Sequence, residues 1–146
     1  MRSRHPSAWD SPGFLLWHAT LRWQRAMRAA LEPHGLTHVQ FVLLASTWWL
    51  EEHGGRPSQR QLAEHAGTDA MMTSQVVRAL ERAGDLERVR DPGDARARLL
   101  SVTPPGRKRL QPALRDVEAT DAAFFAPVSD RSLLPRLRRL AGRAEQ

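Results

Sequence analysis

The chain has no cysteine. That single absence removes disulfides, thiolate zinc sites and cysteine-based redox sensing together. Nor does any apolar run approach the length of a membrane span, and the N-terminus lacks the charged, apolar and small-residue order of a signal peptide. The expectation is a soluble, cytoplasmic protein with no membrane partner. The six histidines show no i,i+4 pair on one helix, since His34 and His38 straddle Gly35 and a helix start, so no metal is expected. No nucleophile and base constellation, glycine-rich phosphate loop or paired-carboxylate motif occurs. Neither an enzyme nor a cofactor is expected.

What remains is a chain of 146 residues with a net charge of +6. That length suits one domain with a real core, or one module plus dimerisation helices, and is too short for two ordinary domains. The charge suggests an anionic partner, but it is unevenly spread. Residues 1–50 carry five basic and two acidic side chains, residues 51–103 eight and nine, and residues 104–146 nine and five. Any anion-facing character of the middle segment must therefore come from charge sorted onto faces, with Glu64, Glu81 and Glu87 turned elsewhere. Of the 22 basic residues 21 are Arg, a preference that a GC-rich genome would explain by itself.

The organising stretch is Pro57 to Thr103. Ser58 and Gln61 have capping-box spacing, so a helix starts at Gln59, with Leu62, Ala63 and Ala66 as a narrow apolar stripe and Gly67 as its stop. Thr68 and Asp69 can cap a second helix, in which Met72, Val76, Leu80 and Ala83 form an apolar row. Gly84 closes it. The opposite face carries Met71, Ser74, Gln75, Arg78 and Arg82, with Thr73 beside them. Gln pairs bidentately with adenine, Ser with several bases, and Arg with guanine or phosphate, so a helix with this face can read a major groove. Taken alone, the same face fits ordinary solvation equally well. The context favours the groove. Alternating residues Leu86 to Arg90, the turn Asp91-Pro92-Gly93-Asp94, then Arg96, Arg98, Leu99, Leu100 and Val102 describe a hairpin with arginines at its tip.

With these residues in view, the sequence resembles the MarR family of winged helix-turn-helix regulators. The resemblance rests on the turn AGTD, the helix segment TSQVVRALERAG, the wing DPGDARARLLSVT and the Gly106-Arg107 pair, and is clearest over residues 36 to 110. It implies a mainly α fold: a winged helix-turn-helix with a two-stranded β wing and N- and C-terminal dimerisation helices. The whole chain, 1–146, is then one domain, with 11–35 and 104–146 as dimerisation helices and 36–103 as the DNA-binding lobe. The implied function is a sequence-specific transcriptional regulator, a homodimer on a pseudo-palindromic operator in double-stranded DNA, and a repressor released by a small aromatic or anionic effector. Two departures stand out. The family often has two adjacent Arg after the wing Asp, where this chain has Ala95 then Arg96, which leaves Arg96 to enter the minor groove. Asp85 stands where an apolar residue is usual. The peroxide-sensing branch, which needs a reactive Cys, is excluded.

The flanks follow the same plan. Residues 1–10, with Arg2 and Arg4, read as a mobile arm. Ser11-Pro12 opens a helix over about 13–31, with Leu15, Leu16, Ala19, Trp23, Ala26, Met27 and Ala30 on one face and Arg22, Arg25 and Arg28 on another. Thr37 caps a helix to about His53, with Phe41, Leu43, Leu44, Trp48 and Leu50 mostly core. Trp17, Trp23 and Trp48 could approach one another, with Trp49 alongside. Interhelical packing is the simpler reading; the sharper one is an effector pocket of Trp17, His18, Arg22 and Trp48, in which a cation neutralises a carboxylate or phenolate. Thr103 caps a helix whose first turn holds Pro104 and Pro105, and Pro112 should kink it. Leu133, Leu134, Leu137, Leu140, Ala141 and Ala144 make a last amphipathic helix, which with so little domain to cover calls for a second chain. The competing classes are a winged-helix protein-interaction module without DNA binding and a small-molecule enzyme. Arg98, at the start of the return strand, is assigned to a phosphate.

Overall fold

The computed structural model describes residues 3–143; Arg2 and Ala144 lie outside the described residues. Six α-helices and one hairpin follow in the order α1 (Pro12–Leu31), α2 (His38–Gly54), α3 (Gln59–Ala66), α4 (Ala70–Arg82), β1 (Leu86–Asp91), β2 (Asp94–Val102), α5 (Pro104–Phe125) and α6 (Leu133–Leu140). Helix starts are fixed by side chains written into the sequence. Ser11 accepts from the Phe14 amide, Asp69 from Met72 and Thr103 from Gly106. Thr37 with Gln40, and Ser58 with Gln61, form complete reciprocal capping boxes, each satisfying two amides that would otherwise face water alone. Gly67 stops α3 at φ 70°, a left-handed conformation that a side chain would resist.

The core lies where α1, α2 and α5 meet the helix-turn-helix and the base of the hairpin. Met27, Leu31, Leu43, Leu44, Leu62, Val77, Leu80 and Leu100 are sealed from solvent there, each contributing on the order of 1.5–3 kcal/mol through burial. α1 packs on α5 and α2, while α2 touches α3, α4, α5 and β2. The strands pair antiparallel with Leu86 opposite Val102, Arg88 opposite Leu100 and Arg90 opposite Arg98, and the register slips after Arg90 at the turn. Pro57 holds the hairpin to the α2–α3 loop by accepting the Leu100 amide at 2.8 Å.

The inward row of α4 differs from the expected one. The buried row of α4 is Thr73, Val77 and Leu80, one residue away from the row through Met72 and Val76. Thr73 can lie inside because its hydroxyl bonds to the Asp69 carbonyl and to Thr68, so a polar residue replaces a thioether in the core. Beyond α5, the apolar side chains at 133–140 find little to cover: Leu134 and Leu140 are exposed, and no residue of α6 is buried. Pro112, where a kink is expected, lies within α5, which remains one helix to Phe125. Among the described residues no helix is long and apolar enough to cross a membrane.

Candidate nucleic-acid interface

α4 presents one open stripe. Met71, Gln75, Arg78 and Arg82 are all exposed along it, spaced by four, three and four residues and so on one side of the helix. Ser74, half-buried at the edge, accepts from Arg78 Nη2 at 3.0 Å, which holds the guanidinium along the helix. Thr73 does not belong with them. It is fully buried with its hydroxyl engaged inside the turn, and so drops out of the set that could touch a base.

The hairpin carries a second set of cations. Directly opposed residues share a face of an antiparallel pair, so Leu86, Val102 and Leu100, which close the core at the base, give way on that face to Arg90 and Arg98 near the tip. Arg88 fixes the orientation: its guanidinium bonds Glu81 of α4 at 2.9 Å and Gln59 of α3 at 2.9 Å. The face that faces α4 at its base is therefore the face that carries cations further out. Placing Arg90 against Arg98 costs stability in the free chain, since like charges directly opposed repel, and a polyanion between them would reverse the sign.

Arg96 is exposed near the tip, and Asp94 holds its backbone, not its guanidinium. The carboxylate accepts from the Arg96 backbone amide at 2.9 Å, as turn aspartates commonly do, and leaves the guanidinium free to extend. Arg98 Nη1 donates to the carbonyls of Ala95 and Ala97, so its charge lies back against the strand.

Sequence reasoning missed what holds the wing in place. Asp85, 3% exposed, pairs with Arg109 Nη1 at 2.6 Å. Arg109 Nε donates to the His34 carbonyl at 2.8 Å, and Nη2 donates to that of Gly35. His34 in turn meets Asp116 at 2.6 Å. One arginine of α5 thus ties the α1–α2 corner to the residue just before the hairpin. Beside it, α5 approaches at backbone contact: a Cβ on Gly106 would stand 2.1 Å from the Asp85 carbonyl oxygen. On the far strand Glu51 of α2 accepts from the Ser101 hydroxyl at 2.6 Å and the Val102 amide at 3.1 Å. The anomalous Asp85 was the available signal; its partner, 24 residues further on, had none.

The four effector candidates are not gathered in one protomer. Trp17 is 61% exposed. His18 packs against Trp9 and Phe14. Arg22 is exposed on α1. Trp48 lines a groove of about 410 Å³ with Arg107, Lys108, Leu110 and Leu114. A second groove, of about 450 Å³, runs from Trp23 and Arg28 of α1 past His38 to Thr68 in the helix-turn-helix. In it Trp23 stacks edge-on against His38 and donates to Asp121 at 2.7 Å. Burial lowers the His38 pKa below 6.5; Asp121 opposes that shift and Arg28 adds to it. Among the described residues no group of three His, Asp or Glu could hold a metal.

Comparison with known proteins gives consistent findings. The model of the MarR family matches residues 36–97. The HTH-type transcriptional regulator YdcH of Bacillus subtilis is 50% identical over 116 residues, 80% of this chain and 79% of that protein. The HTH-type transcriptional repressor Rv2887 of Mycobacterium tuberculosis is 33% identical over 118 residues, 80% and 82% of the two chains, and its solved complex with salicylic acid superposes with a TM-score of 0.65, covering 90% and 95%. The structure of CouR from Rhodococcus jostii RHA1 bound to p-coumaroyl-CoA has a TM-score of 0.82 at 26% identity, covering 94% and 93%.

Proposed function

Because the chain belongs to the MarR family and is a DNA-binding transcriptional regulator, we propose that it acts as a homodimeric repressor on a pseudo-palindromic operator, released by a small aromatic or anionic effector. What supports this reading is the pairing of an exposed row on α4, Met71, Gln75 and Arg78, with the exposed arginines of the hairpin, Arg90, Arg96 and Arg98, on the strand face that meets α4 through Arg88 and Glu81. In this reading Gln75 and Arg78 contact base edges, Met71 and Ser74 flank them, Arg96 enters the adjacent minor groove and Arg98 meets a phosphate.

The terminal helices supply the second subunit. Leu15, Leu16 and Trp17 near the start of α1, with Leu134, Leu137 and Leu140 of α6, are apolar and exposed, which favours burial against another copy. A two-fold dimer would set its α4 helices about 34 Å apart, one turn of DNA. A chromosomal operator puts the working protein in the cytoplasm, and the role asks for no catalysis.

For the effector, salicylic acid bound to Rv2887 and p-coumaroyl-CoA bound to CouR are both aromatic and anionic. The groove that joins Trp23, Arg28 and His38 to Thr68 suits that chemistry, offering an aromatic wall, a cation and a direct neighbour in the helix-turn-helix. Trp17, His18, Arg22 and Trp48 would then contribute through the assembled dimer. A gel shift on the DNA upstream of the chain's own coding sequence tests the reading. Specific retardation that random DNA of equal length does not compete away is expected, and equal competition by both would overturn it.

A further inference from the structure

We propose that Met71 is an oxidation site at which peroxides convert the DNA-reading face of α4 to a weaker binder; the inference rests on the role proposed above for that helix. The four methionines are not equivalent. Met27 is sealed in the core at 0% exposure, whereas Met71 is 73% and Met72 43% exposed on the first turn of α4. Met1 lies outside the described residues. Met71 lies on the same stripe as Gln75, Arg78 and Arg82, while Met72 is rotated about 100° from it. The most open thioether among the described residues is therefore placed on the surface assigned to the major groove.

A thioether needs no deprotonation to react, so access governs its oxidation. With no cysteine in the chain, no thiolate competes for the oxidant. The sulfur attacks one oxygen of hydrogen peroxide or an organic hydroperoxide. An S–O bond forms and the O–O bond breaks; sulfur loses two electrons, and the peroxide is reduced to water or to the alcohol. Both C–S bonds survive. The product changes the face without touching the core. Reduced Met71 is unbranched, polarizable and apolar, suited to packing on a thymine methyl. Its sulfoxide is polar, no longer matches a thymine methyl, and presents an oxygen acceptor with no donor of its own, which base acceptors and phosphates repel. The fold pays nothing for the change, because the side chain stands in solvent, and methionine sulfoxide reductases reverse it.

The test uses the full chain treated with hydrogen peroxide, which is then assayed by peptide mass spectrometry and by binding to the upstream operator fragment. Expected are one added oxygen on Met71 and on Met72 but not on Met27, a fall in specific affinity of about fivefold or more, the scale of one lost base contact, and recovery after reductase treatment. The ratio of affinities before and after peroxide is compared within each variant. In Met71→Leu it should stay near one whatever the starting affinity, and in Met72→Leu it should fall as in the wild type. Specific binding that survives full oxidation of Met71, or an equal loss in Met71→Leu, would overturn this inference alone. Absence of specific binding by the untreated protein would overturn the operator reading, and this inference with it.

Discussion

Replacing Arg109 with leucine should be among the most damaging single changes outside the apolar core, and the size of the effect follows from what it leaves behind. The Asp85 side chain is 4% exposed and loses a charged partner at 2.6 Å, while the carbonyls of His34 and Gly35 lose their donors. Removing one member of a buried pair costs about 3–5 kcal/mol, because the remaining charge is stranded. Arg109 is itself 29% exposed, so water can reach the vacated site, and the lower figure, about 3 kcal/mol, is expected. For a chain of this length that is a fall in Tm of about 10 °C. Asp85→Leu with Arg109→Leu removes both charges and should recover most of the loss, ending within about 1 kcal/mol of the wild type. Urea unfolding at one fixed protein concentration, needed if the chain dimerises, measures all of these. The reasoning fails if Arg109→Leu lies within about 0.5 kcal/mol of the wild type, the scatter of ordinary surface changes, or if the double variant is no more stable than the single one.

Four further outcomes are expected. Gln75→Ala and Arg78→Ala should each cost about 1–3 kcal/mol on the preferred operator and relax its sequence preference; equal losses on random DNA would reduce them to phosphate contacts. Arg96→Ala should flatten the dependence on A/T flanks, whereas Arg98→Ala should weaken every sequence alike and lower the salt slope by about one counterion; titrations on A/T and G/C flanks across a salt series separate them, and unchanged flank dependence in Arg96→Ala would remove the hairpin from the minor groove. Deleting residues 129–146 should give monomers that bind DNA poorly, and sedimentation showing an intact dimer would move the interface elsewhere. His38, whose pKa burial lowers from 6.5, takes up its proton more readily unfolded than folded, so its contribution to stability is present above about pH 6.5 and is lost as the pH falls through the depressed value. His38→Gln should flatten that acid limb of stability against pH.

The sequence announced its punctuation more clearly than its depth. Ser11, Thr37, Ser58, Asp69 and Thr103 all act as the caps their neighbours suggest, because capping is a bargain among residues three apart. The hairpin was legible for the same reason, through its alternation and its Pro92-Gly93 turn. The inward side of α4 was misplaced by one residue, since apolar spacing favours Met72 over Thr73 and says nothing of a hydroxyl already satisfied by Asp69 and Thr68. Arg109 and Glu51 were invisible: each acts across the fold, and nothing local distinguishes them from solvated charges. The aromatic residues illustrate a further limit. Trp17 and Trp48 share a composition but not a pocket, and only helix packing decides which aromatics meet.

The close approach of Gly106 to Asp85 has a mechanical consequence. Two backbones in contact, bolted by the ion pair of Asp85 with Arg109 and by the Thr103 hydroxyl on the Gly84 carbonyl, leave no slack between the start of α5 and the root of the hairpin. Beyond the ties of Arg88 to α3 and α4 and of Leu100 to Pro57, the outer hairpin would follow its root as an arm. Nine residues of β2 separate the root from the turn, a reach of about 27 Å at extended rise, so tilting α5 by only about 5° would sweep the arginine tip through about 2 Å. Such a displacement is comparable with the margin between a seated and an unseated guanidinium.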